Sequence, residues 1–240
     1  MICDVAFYAG VRRGKMNSTP YFLTTRYQPI VELDSDVIIG FEMLSKIDSE
    51  QCVNPETFFM KLDDNAFIDI VRQQIECINR FYYEQDFGYN ILFFINIRLS
   101  SLRSPKFAYL INNIARCRLA LEIDFMDVMS FADRNVIKNI TMLLDYGHDI
   151  WLDDYDGGEF NQLVEAISWS GIKLDKSFLW KYEMDSEKLR GVLSSTLLTG
   201  RKVIIEGVET YQQRVSCRQA GFILGQGFYW PEYINLNNCY

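Results

Sequence analysis

The sequence predicts an α/β fold: a largely parallel sheet whose strands are joined by helices. From Thr24 onward, short runs of β-branched and aromatic residues alternate with longer stretches whose apolar residues recur three and four apart. Strands alternating with helices pair in parallel through right-handed crossovers. Such a sheet is buried on both faces either as a closed barrel or as an open doubly wound sheet. No G-x-G-x-x-G turn follows any early strand, so the dinucleotide-type open sheet loses support. About seven or eight strand–helix units fit 240 residues, with no linker or low-complexity tract to split the chain.

The elements follow in order. TTRYQPIVEL and VIIGFEML, separated by Asp34-Ser35-Asp36, read as a hairpin. Asn54-Pro55 offers a helix cap and a first-turn proline. Phe67, Ile70, Val71, Ile75, Ile78 and Tyr82 mark a second helix, and ILFFINI (91–97) is a buried-strand run. Pro105 to Cys117 reads as helix and Leu119 to Ile123 as strand. Val136 to Leu144 is a helix, Ile150-Trp151-Leu152 a strand, Phe160 to Ile167 a helix and Ile172 to Leu174 a strand. Helix over 185–199, strand Val203-Ile204-Ile205, helix from Thr210 to Ala220 and strand Phe222-Ile223-Leu224 complete the series.

Composition narrows the chemistry. A net charge of −8 argues against a duplex-DNA binder with a basic face. His148 is the single histidine and cannot build a multi-His zinc site; in Gly147-His148-Asp149 it reads as a structural residue at a strand entry. Six scattered cysteines without a CxxC pair suit reduced thiols and a cytoplasmic location. No run approaches the ~18 apolar residues of a membrane span. Residues 1–20 read as an N-terminal extension, with Arg12, Arg13 and Lys15 as a solvated tail, and 21–240 as the domain. Phe81-Tyr82-Tyr83 reads as packing near a helix end, whereas Trp180 and Trp230 are candidates for exposed contacts.

Six apolar runs end in an acid or amide: Glu42, Asn96, Glu122, Asp153 with Asp154, Glu206, and Gln226. Lys173 lies inside the apolar strand Ile172-Lys173-Leu174-Asp175. In a parallel barrel all strand C-termini share one mouth, so these groups converge there. Uncompensated carboxylates in one pocket raise one another's pKa values, and a divalent cation resolves the conflict. Acids and Asn without His or Cys suit Mg²⁺ or Mn²⁺. Two such ions can clamp a phosphodiester and activate a water.

At this point the chain resembles the EAL-domain family of bacterial cyclic di-GMP phosphodiesterases, over roughly residues 24–231. YQPIVEL (27–33) is similar to the family's opening strand, and Glu42-Met43-Leu44 stands where its Glu-Ala-Leu would be. Ile95-Asn96-Ile97 resembles V-N-[LI], Leu121-Glu122-Ile123 the start of L-E-[IL]-T-E, and Leu152-Asp153-Asp154-Tyr155 resembles L-D-D-F. Ile172-Lys173-Leu174-Asp175 resembles I-K-[IL]-D, Glu206-Gly207-Val208-Glu209-Thr210 the end of A-E-G-V-E-T, and Gln226-Gly227-Phe228-Tyr229 resembles Q-G-[YF]-[YF]. The ordered set is far more specific than any one piece.

The resemblance implies a (β/α)₈ TIM-type barrel with one antiparallel strand. It implies Glu42, Asn96, Glu122 and Asp153 as metal ligands, with Asp154 at a second ion. Lys173 would hold the attacking water and Glu206 would support that pair. Gln28, Leu44, Lys46, Asn96, Asp175, Glu209 and Gln226 would line the substrate site. Trp230, following the mouth-facing Gln226, is a further candidate to touch a base. The implied reaction is hydrolysis of cyclic di-GMP to linear pGpG with Mg²⁺ or Mn²⁺, two ions in all and Ca²⁺ inhibitory, in a homodimer.

The chain departs from the family pattern at three places. Lys46 stands where the family has Arg, which keeps charge but loses bidentate phosphate geometry. Phe125 replaces the second Glu of L-E-[IL]-T-E, a residue expected to order the loop after the paired aspartates. That loop itself reads Asp156-Gly157-Gly158, so another arrangement is expected to hold it. These departures motivate the alternative: an EAL-like regulator acting through a protein partner, or a receptor that binds cyclic di-GMP without cleaving it.

Overall fold

The computed structural model describes residues 12–16, 19–48, 55–84, 91–130, 133–160, 162–182, 185–197 and 201–233. The chain forms strands β1 (Arg12–Met16), β2 (Thr19–Glu32) and β3 (Ile38–Asp48), then helices α1 (Pro55–Met60) and α2 (Asp64–Glu84). β4 (Leu92–Asn96), a 3₁₀ turn (Leu99–Arg103), α3 (Pro105–Ile114), β5 (Leu119–Asp124), α4 (Phe125–Ser130) and α5 (Arg134–Asp145) follow. β6 (Asp149–Tyr155), α6 (Gln162–Ala166), β7 (Gly171–Leu174), α7 (Lys176–Tyr182) and α8 (Ser186–Leu197) come next. β8 (Lys202–Ile205), α9 (Tyr211–Ala220) and β9 (Leu224–Gln226) complete the order.

The strands lie side by side in chain order, and β2 also pairs with β9, so β2 to β9 close an eight-stranded barrel. β2 runs antiparallel to both its barrel neighbours, while β3 to β9 run parallel. The expected closed barrel with one antiparallel strand is therefore present. β1 adds an antiparallel strand outside it, formed by residues read above as part of the extension.

Period-2 alternation divides the side chains into two cores. Residues such as Phe93, Ile95, Leu121, Ile150, Leu152, Ile172, Leu174, Val203 and Ile205 face outward and pack under the helices. Their alternates Ile30, Phe94, Ala120, Trp151 and Ile204 form a separate cluster inside the barrel. Phe94 and Trp151 meet edge to face with centroids 5.0 Å apart and fill most of that space. Gly171 makes room for them: a Cβ there would stand 2.3 Å from the Trp151 ring. Above this apolar plug, one alternation step toward the strand C-termini, lie Glu42, Asn96, Glu122, Asp153, Lys173 and Gln226.

Helix ends follow local chemistry. Ser104 caps α3 through its hydroxyl with Pro105 in the first turn, Asp133 caps α5, and Thr210 and Gln213 form a capping box on α9. The expected helix to Cys117 stops at Ile114, because Ala115 takes an extended conformation. The last strand starts at Leu224, two residues later than expected. α4, α7 and the 3₁₀ turn are additional; at five to seven residues they are too short for a helical period to repeat. The cap expected at Asn54 lies outside the described residues. His148 is buried and its Nδ1 accepts from the Leu119 N–H at 3.2 Å, the structural role expected of it. Cys77, Cys117 and Cys217 are free thiols. Among the described residues no helix is long and apolar enough to cross a membrane.

Gly171→Ala drives a methyl into a buried indole with no space to retreat. Equilibrium denaturation is expected to show a loss of about 1–3 kcal/mol; unchanged stability would mean that the plug is not packed as described.

Candidate functional site

The C-terminal ends of the parallel strands place an ammonium group among carboxylates. Lys173 Nζ lies 3.0 Å from Glu42 Oε2, 2.9 Å from Glu122 Oε1, 3.1 Å from Asp153 Oδ1 and 2.7 Å from Glu206 Oε1. Each group lies on a different strand or, for Glu206, directly after one, because interior-facing positions one step beyond the apolar plug are brought to one level. Lys173 is 1% exposed and Glu122 fully enclosed. Gln226 Nε2 donates to Glu42 Oε2 at 2.5 Å and to Gln28 Oε1 at 2.9 Å. Asn96 Nδ2 donates to Glu42 Oε1 at 2.9 Å, which leaves its amide oxygen available.

One positive charge faces four acids, and their titration shows the deficit. Burial acts against ionised Glu42, but Lys173, Gln226 and Asn96 together outweigh it and hold its carboxyl below the usual range. Burial, reinforced by Glu42, pushes Glu122 well above that range. Asp153 is raised by burial. Burial with the neighbouring Asp153 and Glu42 charges lifts Glu206 to about 8, despite Lys173. Asp154 keeps solvent contact, yet partial desolvation and the neighbouring Asp153 charge lift it to about 7. Burial disfavours the Lys173 ammonium, yet the four surrounding carboxylates keep it firmly protonated.

Two acid groups could each hold a metal ion: Glu42, Glu122 and Asp153, and Asp153, Asp154 and Glu206. Within each, carboxylate oxygens lie inside 4.8 Å of one another, and Asp153 belongs to both. Among the described residues Glu122 Oε2 is buried without a hydrogen-bond partner, as expected of a donor that completes its shell with a cation. All donors are oxygen, which fits a hard divalent ion.

Successive residues of a regular strand point to opposite faces, so Asp153 and Asp154 should not both reach this mouth. The β6–β7 register shifts between Leu152 and Tyr155, and Asp154 takes a left-handed backbone, φ 52°. Such an irregularity re-aims a side chain, at a cost of about 1–3 kcal/mol for a non-glycine residue held there. Plain alternation gives no sign of it.

The remaining expected residues distribute unevenly. Gln28 pairs in register with Glu42 and joins the network. Leu44 and Lys46 continue the Glu42 face up β3, half-buried and exposed respectively. Asp175 sits at the rim, where its Oδ1 accepts from the Ser177 N–H and caps α7. Glu209 is exposed, and its backbone N–H donates to Gln213. Trp230 contradicts the expectation of an exposed mouth contact. It is 8% exposed, and its indole N–H donates to Asp36 in the β2–β3 turn at the opposite end of the barrel. A buried indole N–H needs an acceptor, and Asp36 supplies it. Trp180 is exposed, as expected.

Comparison with known proteins gives a consistent result. A family model described as EAL domain matches residues 22–232. The chain is 26% identical over 260 aligned positions to the cyclic di-GMP phosphodiesterase RocR of Pseudomonas aeruginosa, covering 99% of this chain and 64% of that protein. It is 25% identical to the probable cyclic di-GMP phosphodiesterase PdeB of Escherichia coli, covering 88% of this chain and 42% of that one. The chain thus spans less than two thirds of either relative. In fold it is similar to the FimX EAL domain of Xanthomonas citri, solved with cyclic di-GMP, with a TM-score of 0.73, 19% identity and 89% of each chain covered.

In the unfolded chain these acids titrate near 4. Folded Asp154 and Glu206 titrate at about 7 and about 8, so the metal-free fold holds extra protons and its stability is lost as pH rises through those values. In EDTA the melting temperature is expected to fall between about pH 5 and pH 8, and added Mn²⁺ should restore it most at the alkaline end. A flat profile, or equal stabilisation at both ends, would contradict the charge imbalance.

Proposed function

The chain belongs to the EAL domain family, and from that premise we propose that it hydrolyses cyclic di-GMP to linear pGpG with Mg²⁺ or Mn²⁺. The observation that carries this reading is the pair of carboxylate groups sharing Asp153 beside the Lys173 ammonium. The names of the relatives and the cyclic di-GMP in the FimX structure support the substrate class.

Glu42, the Asn96 amide oxygen, Glu122 and Asp153 would hold one ion, and Asp153 with Asp154 a second. Bound ions supply positive charge to the phosphodiester and acidify a coordinated water. They also let a chain of net charge −8 accept an anionic ester. The protein's own groups do the rest. The Lys173 ammonium, fixed by four carboxylates, donates a hydrogen bond to the attacking oxygen and holds it in line. Glu206, 2.7 Å from Lys173 Nζ, supports that ammonium and takes up the proton that this oxygen loses. One P–O bond to a ribose 3′ oxygen breaks, that oxygen gains a proton, and the phosphate stays on the 5′ side as a monoester. Gln226 and Gln28 hold Glu42 in place from β9 and β2. Lys46, further up β3, offers charge to the second phosphate of the cyclic dinucleotide.

Purified protein incubated with cyclic di-GMP and Mn²⁺, followed by nucleotide chromatography, is expected to yield pGpG. Ca²⁺, which binds with looser geometry, should replace turnover by inhibition. Glu42→Ala should lower turnover by at least about 100-fold with the fold intact. Undiminished hydrolysis by that variant overturns the site assignment. Binding of cyclic di-GMP without any product would instead select a receptor role.

A further inference from the structure

Asp154 is the exposed member of the second acid group, and among the described residues its carboxylate has no hydrogen-bond or ion-pair partner. Its place in the mouth is therefore set by its backbone, which lies in a region that L residues rarely adopt. Such a conformation persists where the surroundings over-determine it.

The surroundings are aromatic. Tyr155, the next residue, is buried with its ring edge-on to Phe125 at 5.2 Å and tilted against Phe160 at 5.0 Å. Phe125, at the start of α4, is itself 4% exposed. The Tyr155 hydroxyl donates to the Gly158 carbonyl at 2.5 Å, and the Tyr155 carbonyl accepts from the Asp175 N–H at 3.0 Å. The Gly158 N–H donates to Asp156 Oδ1 at 2.9 Å and closes the turn. Gly157, at φ 89°, lies against the Phe178 ring, with 3.3 Å between that ring and the place of a Cβ. Ring, hydroxyl and carbonyl of Tyr155 are thus each fixed by a different part of the chain.

We propose that the cluster of Phe125, Tyr155 and Phe160 is the device that holds Asp154 in the mouth, so that Phe125 and Tyr155 are positioning residues for the second ion site. The proposal rests on the metal-binding reading above. Phe125 and Tyr155 touch no reacting atom; they act through the backbone one residue away. A bulky apolar side chain at position 125 is what this arrangement needs, since it packs against two rings.

Calorimetric titration with Mn²⁺ alone tests it on the wild type, Asp154→Asn, Phe125→Ala and the double variant, with folding checked by circular dichroism. The wild type is expected to bind two equivalents. Phe125→Ala and Asp154→Asn should each weaken the same equivalent by about 10- to 100-fold and leave the other unchanged. The double variant should be no weaker than Asp154→Asn, because both changes remove one function. Phe125→Leu, which keeps apolar volume, should return to within about threefold of wild type. If Phe125→Ala does not fold, Tyr155→Phe is read in its place: it keeps the ring, loses the bond to Gly158, and should weaken the same equivalent. Wild-type affinities in either folded variant, equal weakening of both equivalents, or losses additive with Asp154→Asn overturn the proposal. A wild type that binds no Mn²⁺, or an Asp154→Asn protein that titrates like it, removes the metal-binding reading and the proposal with it.

Discussion

Lys173 offers one positive charge to Glu42, Glu122, Asp153 and Glu206, all within 3.1 Å of its nitrogen. Four ionised carboxylates around one ammonium leave three negative charges in a space with almost no water. Such a cluster exists either partly protonated or with added cations, since isolated buried charge is too costly to keep. The raised pKa values of Glu122, Asp153 and Glu206 express the first state. Divalent ions replace the protons in the second. The same imbalance links binding, acid–base chemistry and stability in one small volume.

The barrel makes that imbalance possible. Phe94 and Trp151 fill the interior beneath the acids and exclude water from below. Gly171 gives Trp151 the room to do so. With the interior closed by aromatic rings, the buried acids can open only toward the strand C-termini. Closure by the β2–β9 pair then brings Gln226 against Glu42 and Gln28, joining residues from both ends of the chain.

Most of this was legible because the signal is local. Each mouth residue follows directly on an apolar run, so a parallel barrel carries Glu42, Asn96, Glu122, Asp153, Glu206 and Gln226 to one rim by geometry alone. Lys173 stood out as a charge inside an apolar strand. What the pattern names but does not account for depends on backbone departures that leave no periodic trace. Alternation would turn Asp154 away from Asp153; the register shift at Leu152/Tyr155 and the left-handed Asp154 bring it back. Nearness in sequence to Gln226 made Trp230 look like a mouth residue. The turn closed by the Trp230 N–H on the Gly227 carbonyl instead sends its ring toward Asp36. The short helices α4 and α7 begin beside Asp124 and Asp175, whose carboxylates cap them. Neither cap was read from the sequence, and six or seven residues are too few to show a period.

The central claim is that the two carboxylate groups sharing Asp153 hold divalent cations. Anomalous diffraction at the manganese edge from Mn²⁺-soaked crystals tests it most directly. The account predicts one peak bounded by Glu42, Glu122 and Asp153 and a second beside Asp153 and Asp154. Crystals without anomalous density at that rim, or with Mn²⁺ bound only elsewhere on the chain, would contradict it.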